Sequence, residues 1–249
     1  MNSTTVAEKR QSESAETTPA SAIEAKLYGV RGSAPSFSAE LMLLHKGIQY
    51  RRVNLIPGRH RKRLPAKGFP GGTVPALVLN GQRVQTNRAI ARALDELVPD
   101  PPLFPADPTI RADVEEAERF GDEVLQPATR RMILWSLTQD PDSVRPHPAN
   151  GRLLVPRNAW LRRRLMPRVF KLWGINDEVV RRDFEALPVM LDKLDGYVVD
   201  GVLNGNRVTA ADIEIAPLIG ALMGIGDLGA EIGQRPVSGL AVRVLPSWA

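Results

Sequence analysis

Gly71-Gly72-Thr73-Val74-Pro75-Ala76-Leu77-Val78-Leu79 is the stretch on which the reading of this chain turns. Two glycines loosen the approach, and a Val-Pro step then opens into a run of strand formers. Proline has no N–H to give to a ladder, so within a sheet it is confined to an edge or to the first position of a strand. Pro75 sits where a strand begins. An X-Pro bond reaches the cis form for only ~0.5–1 kcal/mol. A cis bond here would turn the N–H and C=O of Val74 out of the ladder, toward an extended, peptide-like ligand.

Outward from that strand, Asn80-Gly81 supplies a hairpin turn and Arg83-Val84-Gln85 a short partner strand. Asn87 reads as a helix N-cap, followed by Ile90, Ala91, Leu94 and Leu97 on one helical face. On the other side, Lys26–Val30 is a short strand, and Phe37, Leu41, Leu44 and Ile48 recur at helical spacing. Tyr50–Leu55 alternates as a second strand, parallel to the first if a helix joins them. The order predicts a mixed four-stranded sheet with helices, a thioredoxin-like α/β unit over residues 26–98.

The proline-rich run Pro99–Pro105 is a stiff connector, so residues 99–106 read as a linker. Residues 107–249 then read as helix and loop throughout, an all-helical bundle. Asp107 caps a helix with Pro108 at its first position. Pro127 marks a kink, Asn158–Trp173 a basic helix, and Pro188 an interruption or restart in the next. Thr209-Ala210-Ala211-Asp212 has capping-box spacing ahead of Ile213–Met223, apolar nearly all round and so a buried central helix. Asp140–Pro156, with four prolines and little pattern, is either a lid or an unread element. Residues 1–25 are Ser, Thr, Ala and Glu with almost no large apolar residue, and read as a disordered tail without a signal sequence.

Composition narrows the chemistry. The 249 residues contain no cysteine and three histidines far apart, which argues against thiolate ligands, cysteine nucleophiles, a histidine metal site or a Ser-His-Asp triad. No metal is expected. No apolar run approaches the ~20 residues of a membrane span, so no membrane partner is expected either. The net charge of +5 rests partly on Arg59-His60-Arg61-Lys62-Arg63 and Arg162-Arg163-Arg164. Neither run is interleaved with aromatics, so they read as solvated surface, and nucleic acid is not expected as a partner. Gly224-Ile225-Gly226-Asp227-Leu228-Gly229 spells a dinucleotide fingerprint but follows a helix and lacks a βαβ unit, so it reads as a turn.

Three features in this order, Val74-Pro75, Thr86-Asn87-Arg88-Ala89-Ile90 and the Thr209/Asp212 cap, resemble the glutathione transferase family from about residue 26 to the end. That resemblance implies a thiol site on the first unit. Ser33 falls where the serine and cysteine classes place the group that meets the sulfur. A free thiol with pKa ~8.5 is mostly protonated at neutral pH, and a hydroxyl donating to the anion favours ionisation, as does a helix N-terminus. Ser33 would be a hydrogen-bond donor rather than a base; it could equally be a loop serine capping the helix, with Ser36 the fallback for either role.

The resemblance further implies that Val74, ahead of Pro75, pairs its backbone with the cysteinyl unit of the tripeptide. Thr86 and Asn87 stand where relatives carry Glu or Gln followed by Ser for the γ-glutamyl end. Thr86 offers no carboxylate to an ammonium group, so the cofactor is glutathione or another low-molecular-weight thiol, with Gln85 a substitute one residue earlier. Arg59, together with His60, Arg61 and Lys62, lies in the segment that meets the glycine carboxylate. Arg130, Arg131 and Trp135 are candidates for the electrophile side. The implied function is transfer of a small thiol to an apolar electrophile, by a cytoplasmic homodimer. The alternative is a non-catalytic binding or scaffolding module that keeps the fold.

Overall fold

The structure, a computed structural model, describes residues 23–245. Strands β1 (Ala25–Gly29), β2 (Arg51–Asn54), β3 (Ala76–Leu79) and β4 (Gln82–Gln85) form one sheet in the order β2-β1-β3-β4. β1 and β2 are parallel and joined through helix α1 (Ala34–His45); the other pairings are antiparallel. Helix α2 (His60–Arg63) and α3 (Asn87–Leu97) complete this half. The fold is the thioredoxin-like α/β arrangement that the residue pattern predicts.

Alternation along the central strands sends neighbours to opposite faces. Leu27 and Leu77 join Met42, Leu43, Ile90 and Leu94 beneath α1 and α3, whereas Tyr28 and Ala76 pack with Leu64 and Phe69 on the other face. Four segments leave the sheet at one end. The turn after β1, the segment after β2, the loop before β3 and the residue after β4 converge there, because β1↔β3 pairs Tyr28 with Ala76 and β3↔β4 pairs Ala76 with Gln85.

The first helix is fastened to the start of the proline-rich connector by a buried lysine. Lys46 Nζ donates to Asp95 Oδ1 at 2.7 Å and to the carbonyls of Val98 and Pro101, both at 2.6 Å. All three ammonium protons are thereby used. The Asp100–Pro101 and Val74–Pro75 bonds are both cis.

The rest is helical: α4 (Pro108–Phe120), α5 (Gln126–Gln139), α6 (Ala159–Trp173), α7 (Asp177–Val199), α8 (Ala210–Leu222), α9 (Leu228–Gly233) and α10 (Ser238–Val244). α8 is buried along almost its whole length, and its Thr209/Asp212 capping box is formed. A π-helical turn at Gly121–Leu125 carries the chain from α4 into α5 ahead of Pro127. A side chain at Gly121 would sit 2.9 Å from Ile215 Cγ1, so glycine lets this turn lie against α8. Pro188 neither ends nor restarts a helix: α7 is continuous through it, supported by an Asn176 N-cap and a row of buried Val180, Leu187, Leu191 and Leu194.

Two expectations change at the edges. Residues 1–22 of the expected tail lie outside the described residues, while Ile23 and Ala25 are buried in the core. The expected loop at Asp140–Pro156 contains a 3-10 turn, Arg152–Leu154, and is strapped to the molecule. Val144 bridges Ile225, Arg145 N donates to Gly224 O at 2.8 Å, and Arg152 reaches the carbonyls of Pro141 and Val144. Isolated backbone bridges and side-chain-to-backbone bonds of this kind carry no periodic signature in the sequence.

Candidate functional site

Ser33 stands at the N-cap position of α1 with φ −102° and ψ 115°, yet its side chain makes no capping bond. Its hydroxyl is half-buried and unpaired among the described residues. Ser36 differs. It is fully buried, and its Oγ accepts from Val30 N at 3.2 Å, which ties up the β1–α1 turn. The helix opened by Ser33 has Pro35 in its first turn and no acidic residue there, so its N-terminal N–H groups face the turn uncompensated.

At the same end of the sheet, the backbone N–H and C=O of Val74 pair with nothing among the described residues. Pro75 O accepts from Thr86 N at 3.3 Å, which brings the residue after β4 directly beside the Val-Pro step. Thr86, not Asn87, is the N-cap of α3: its Oγ1 accepts from Ala89 N at 3.3 Å. It does so at φ 80°, a conformation that β-branched residues rarely adopt. Backbone strain of this kind gathers at functional sites.

The polar side chains around this step are turned inward. Gln85 accepts from Gly71 N at 2.8 Å and donates to Gly71 O and Thr73 O at 3.0 and 2.6 Å. Its amide is saturated and holds the loop that delivers Val74. Asn87 is buried and donates from Nδ2 to Glu214 Oε2 on α8 at 2.6 Å. Arg59 is exposed ahead of α2. Its neighbour Arg61 lies against the loop, since a side chain at Gly72 would meet Arg61 O at 2.5 Å, and the Arg61 guanidinium lies 5.9 Å from the Trp173 ring centre.

The helical half supplies the opposite wall. Gly151, in the strapped loop, meets Gly32 so closely that a Cβ on Gly32 would fall 3.0 Å from Gly151 Cα; both glycines have positive φ. His147 of the same loop sets its ring edge-on to Phe37 of α1 at 6.3 Å, and burial pulls its pKa down to about 4. Leu134 of α5 lies beneath Gly151. Arg130, one turn earlier on the same face, stacks on Trp173 of α6 with 3.9 Å from guanidinium carbon to ring centre.

Among the three α5 candidates the geometry separates roles. Arg131 forms a two-pronged ion pair with Asp183, at 2.6 and 2.7 Å. Trp135 turns to α7, donating to Asp177 Oδ1 at 2.9 Å beside Phe184. Arg130 has no carboxylate partner among the described residues, its Nε is buried without a hydrogen bond, and burial together with Arg131 brings its pKa down to about 10.

Residues 27–102 match the family model described as glutathione S-transferase, N-terminal domain. The match bears out the resemblance to the glutathione transferase family. It is 27% identical over 198 residues to glutathione S-transferase Z2 of Arabidopsis thaliana, covering 79% of this chain and 75% of that one. It is 29% identical over 115 residues to a probable maleylacetoacetate isomerase of Caenorhabditis elegans, a match spanning 45% of this chain and 53% of the relative. Glutathione transferase F2 of Populus trichocarpa shares the fold at a TM-score of 0.64 and 19% identity, over 88% of this chain and 92% of that one.

The buried carboxylate of Glu214 sits inside an otherwise apolar helix. Burial first, then the nearby Asp122 carboxylate, push it up to about 8. Glu118, also buried, is answered by Arg92 Nη1 at 2.9 and 3.2 Å. The usable signal was the rare placement of acids on faces that otherwise read as core.

Proposed function

We propose that this protein binds a small thiol, glutathione in the first instance, and transfers it to an electrophile held against the helical half. The observation that carries this reading is the pairing, at one end of the sheet, of an uncommitted Ser33 hydroxyl at a helix N-terminus with the uncommitted amide of Val74. The thiol's peptide unit would pair with Val74. Its sulfur would take the Ser33 hydroxyl hydrogen bond, which favours the thiolate over the thiol. A cation of the segment Arg59–Lys62, whose backbone at Arg61 lies against the Gly72 turn, would serve the ligand's carboxylate. The names of the curated relatives support the thiol half of this reading.

The electrophile side is less apolar than the sequence suggests. An unpaired guanidinium stacked on Trp173 leaves its N–H edge for an anion, since stacking uses only the faces. The proposed electrophile therefore carries a carboxylate or similar oxyanion. The proposed organisation is a thiol-binding unit at 26–98, a linker at 99–106 and a helical unit at 107–249, in a cytoplasmic homodimer.

A second reading, a binding module without turnover, draws on the internal engagement of Gln85 and Asn87, whose amides are turned to Gly71, Thr73 and Glu214 and away from a γ-glutamyl end. Calorimetry with glutathione and a conjugation assay on wild type and Ser33→Ala separate the two. Transfer is supported by binding in both proteins and a loss of ~10²-fold in turnover for the variant. Binding without turnover in either supports the module, and equal turnover in both removes Ser33 from the mechanism.

A further inference from the structure

The positive charge of this chain is concentrated in one segment. Residues 143–176 hold eight of the 33 Lys and Arg and none of the 28 Asp and Glu, so the chain without them would be net negative. Most of that charge is on α6, where five cations occur in 15 residues with no acid. α7, by contrast, pairs Arg181 with Glu185 and Arg182 with Glu178 along its own surface. The cations of α6 have no carboxylate partner among the described residues.

α6 is also two-sided. Met166 is buried, with Val169, Phe170 and Trp173 packed against the core on that side. The outward side bears Leu161, Leu165 and Leu172, 38%, 37% and 46% exposed, which fall in one stripe at helical spacing. Trp160, 70% exposed, opens the helix. Beside the leucines run Arg164, Arg168 and Lys171, all exposed. Arg162 differs, turned back toward the carbonyls of Pro156 and Arg157.

We infer that this face of α6 docks on an anionic lipid surface. The argument is one of shape and charge. Because the inner side of α6 is already committed to the core, a partner's groove cannot enclose the helix, whereas a flat surface can receive it. Interleaved leucines and a tryptophan suit the headgroup boundary, where a cationic polar stripe meets anionic lipid. A nucleic-acid backbone would engage the cations and leave the leucines without a function. None of the described helices is long and apolar enough to cross a membrane, and surface docking asks for no crossing. The inference does not depend on the thiol site.

The test is sedimentation of the full chain with vesicles of phosphatidylcholine alone or mixed with phosphatidylserine, at low and high salt. The expected result is binding to the mixed vesicles only, lost at high salt. Replacing Arg164, Arg168 and Lys171 by Gln should weaken it on the order of a hundredfold, and Leu165→Ser should weaken it without changing its salt dependence. Glutathione binding and conjugation in solution should be unchanged in these variants, so failure of either reading shows independently of the other. Equal binding to neutral vesicles, no binding at low salt, or an unaffected triple variant would each overturn the inference. So would capture of duplex DNA in place of vesicles, or a change from dimer to monomer in the variants, which would show a second copy covering this face.

Discussion

Asn87 and Glu214 lie 2.6 Å apart, amide nitrogen to carboxylate oxygen, and join the first turn of α3 to the middle of α8 with both side chains buried. The carboxylate sits among other acids, Asp122 and Glu118, and its pKa rises from the ordinary 4.5 to about 8, chiefly through burial. A carboxyl group with a raised folded-state pKa keeps its proton in the folded chain while the unfolded chain has already released it. Its stabilising contribution is complete below pH 4.5 and disappears as pH climbs through about 8. Thermal unfolding should therefore show a decline across that window, on the order of a few kcal/mol in all. Glu214→Gln should flatten it, and a variant that declines as steeply as wild type would show that another group titrates.

Gln85 is expected to matter through the loop it holds. Its amide closes three bonds to Gly71 and Thr73. Gln85→Ala should cost about 1–2 kcal/mol of stability, from the hydrogen bonds lost to the part-buried loop backbone. It should also raise KM for glutathione more than it lowers kcat, because Val74 would be delivered less firmly. Steady-state kinetics over a range of glutathione concentrations, with a denaturant titration alongside, check both halves.

Arg130→Met keeps much of the side chain's length and its contact with Trp173 while removing the charge. With an electrophile bearing a carboxylate, KM should rise roughly tenfold or more, the worth of one charge-assisted contact. With a neutral electrophile of similar shape it should hardly move. A uniform change for both compounds would mean that Arg130 acts by packing alone.

The buried lysine predicts a purely structural effect. Lys46→Met leaves Asp95 without its cation and two carbonyls without their donor, and removal of one partner from a buried ion pair costs roughly 3–5 kcal/mol. Urea unfolding should report that loss, with turnover per folded molecule retained.

Much of this was legible in the residues, for identifiable reasons. Pro75 and the Asn80-Gly81 turn announce their conformations locally, and Thr209/Asp212 announces a helix start; so the sheet, its partners and the central helix follow from patterns a few residues long. Asn87 was misplaced by one position because asparagine is the better N-cap by propensity, while Thr86 takes that place through a contact with Pro75 made across the sheet. Gln85, Asn87 and Lys46 look like surface polar residues in sequence; each is buried by a partner at least 12 residues away. Arg130 could be named but not ranked above Arg131 and Trp135, since only packing against α6 and α7 tells the three apart.

Where Gly32 meets Gly151, neither strand of backbone carries a side chain, so the turn bearing Ser33 and the strapped loop are separated by little more than a hydrogen atom on each. The helical half thus reaches the serine turn with bare peptide. Substituting either glycine would act like a wedge between the serine turn and the strapped loop. In the proposed reaction, the room beside Ser33 would in that sense be set by two residues that touch no reactant.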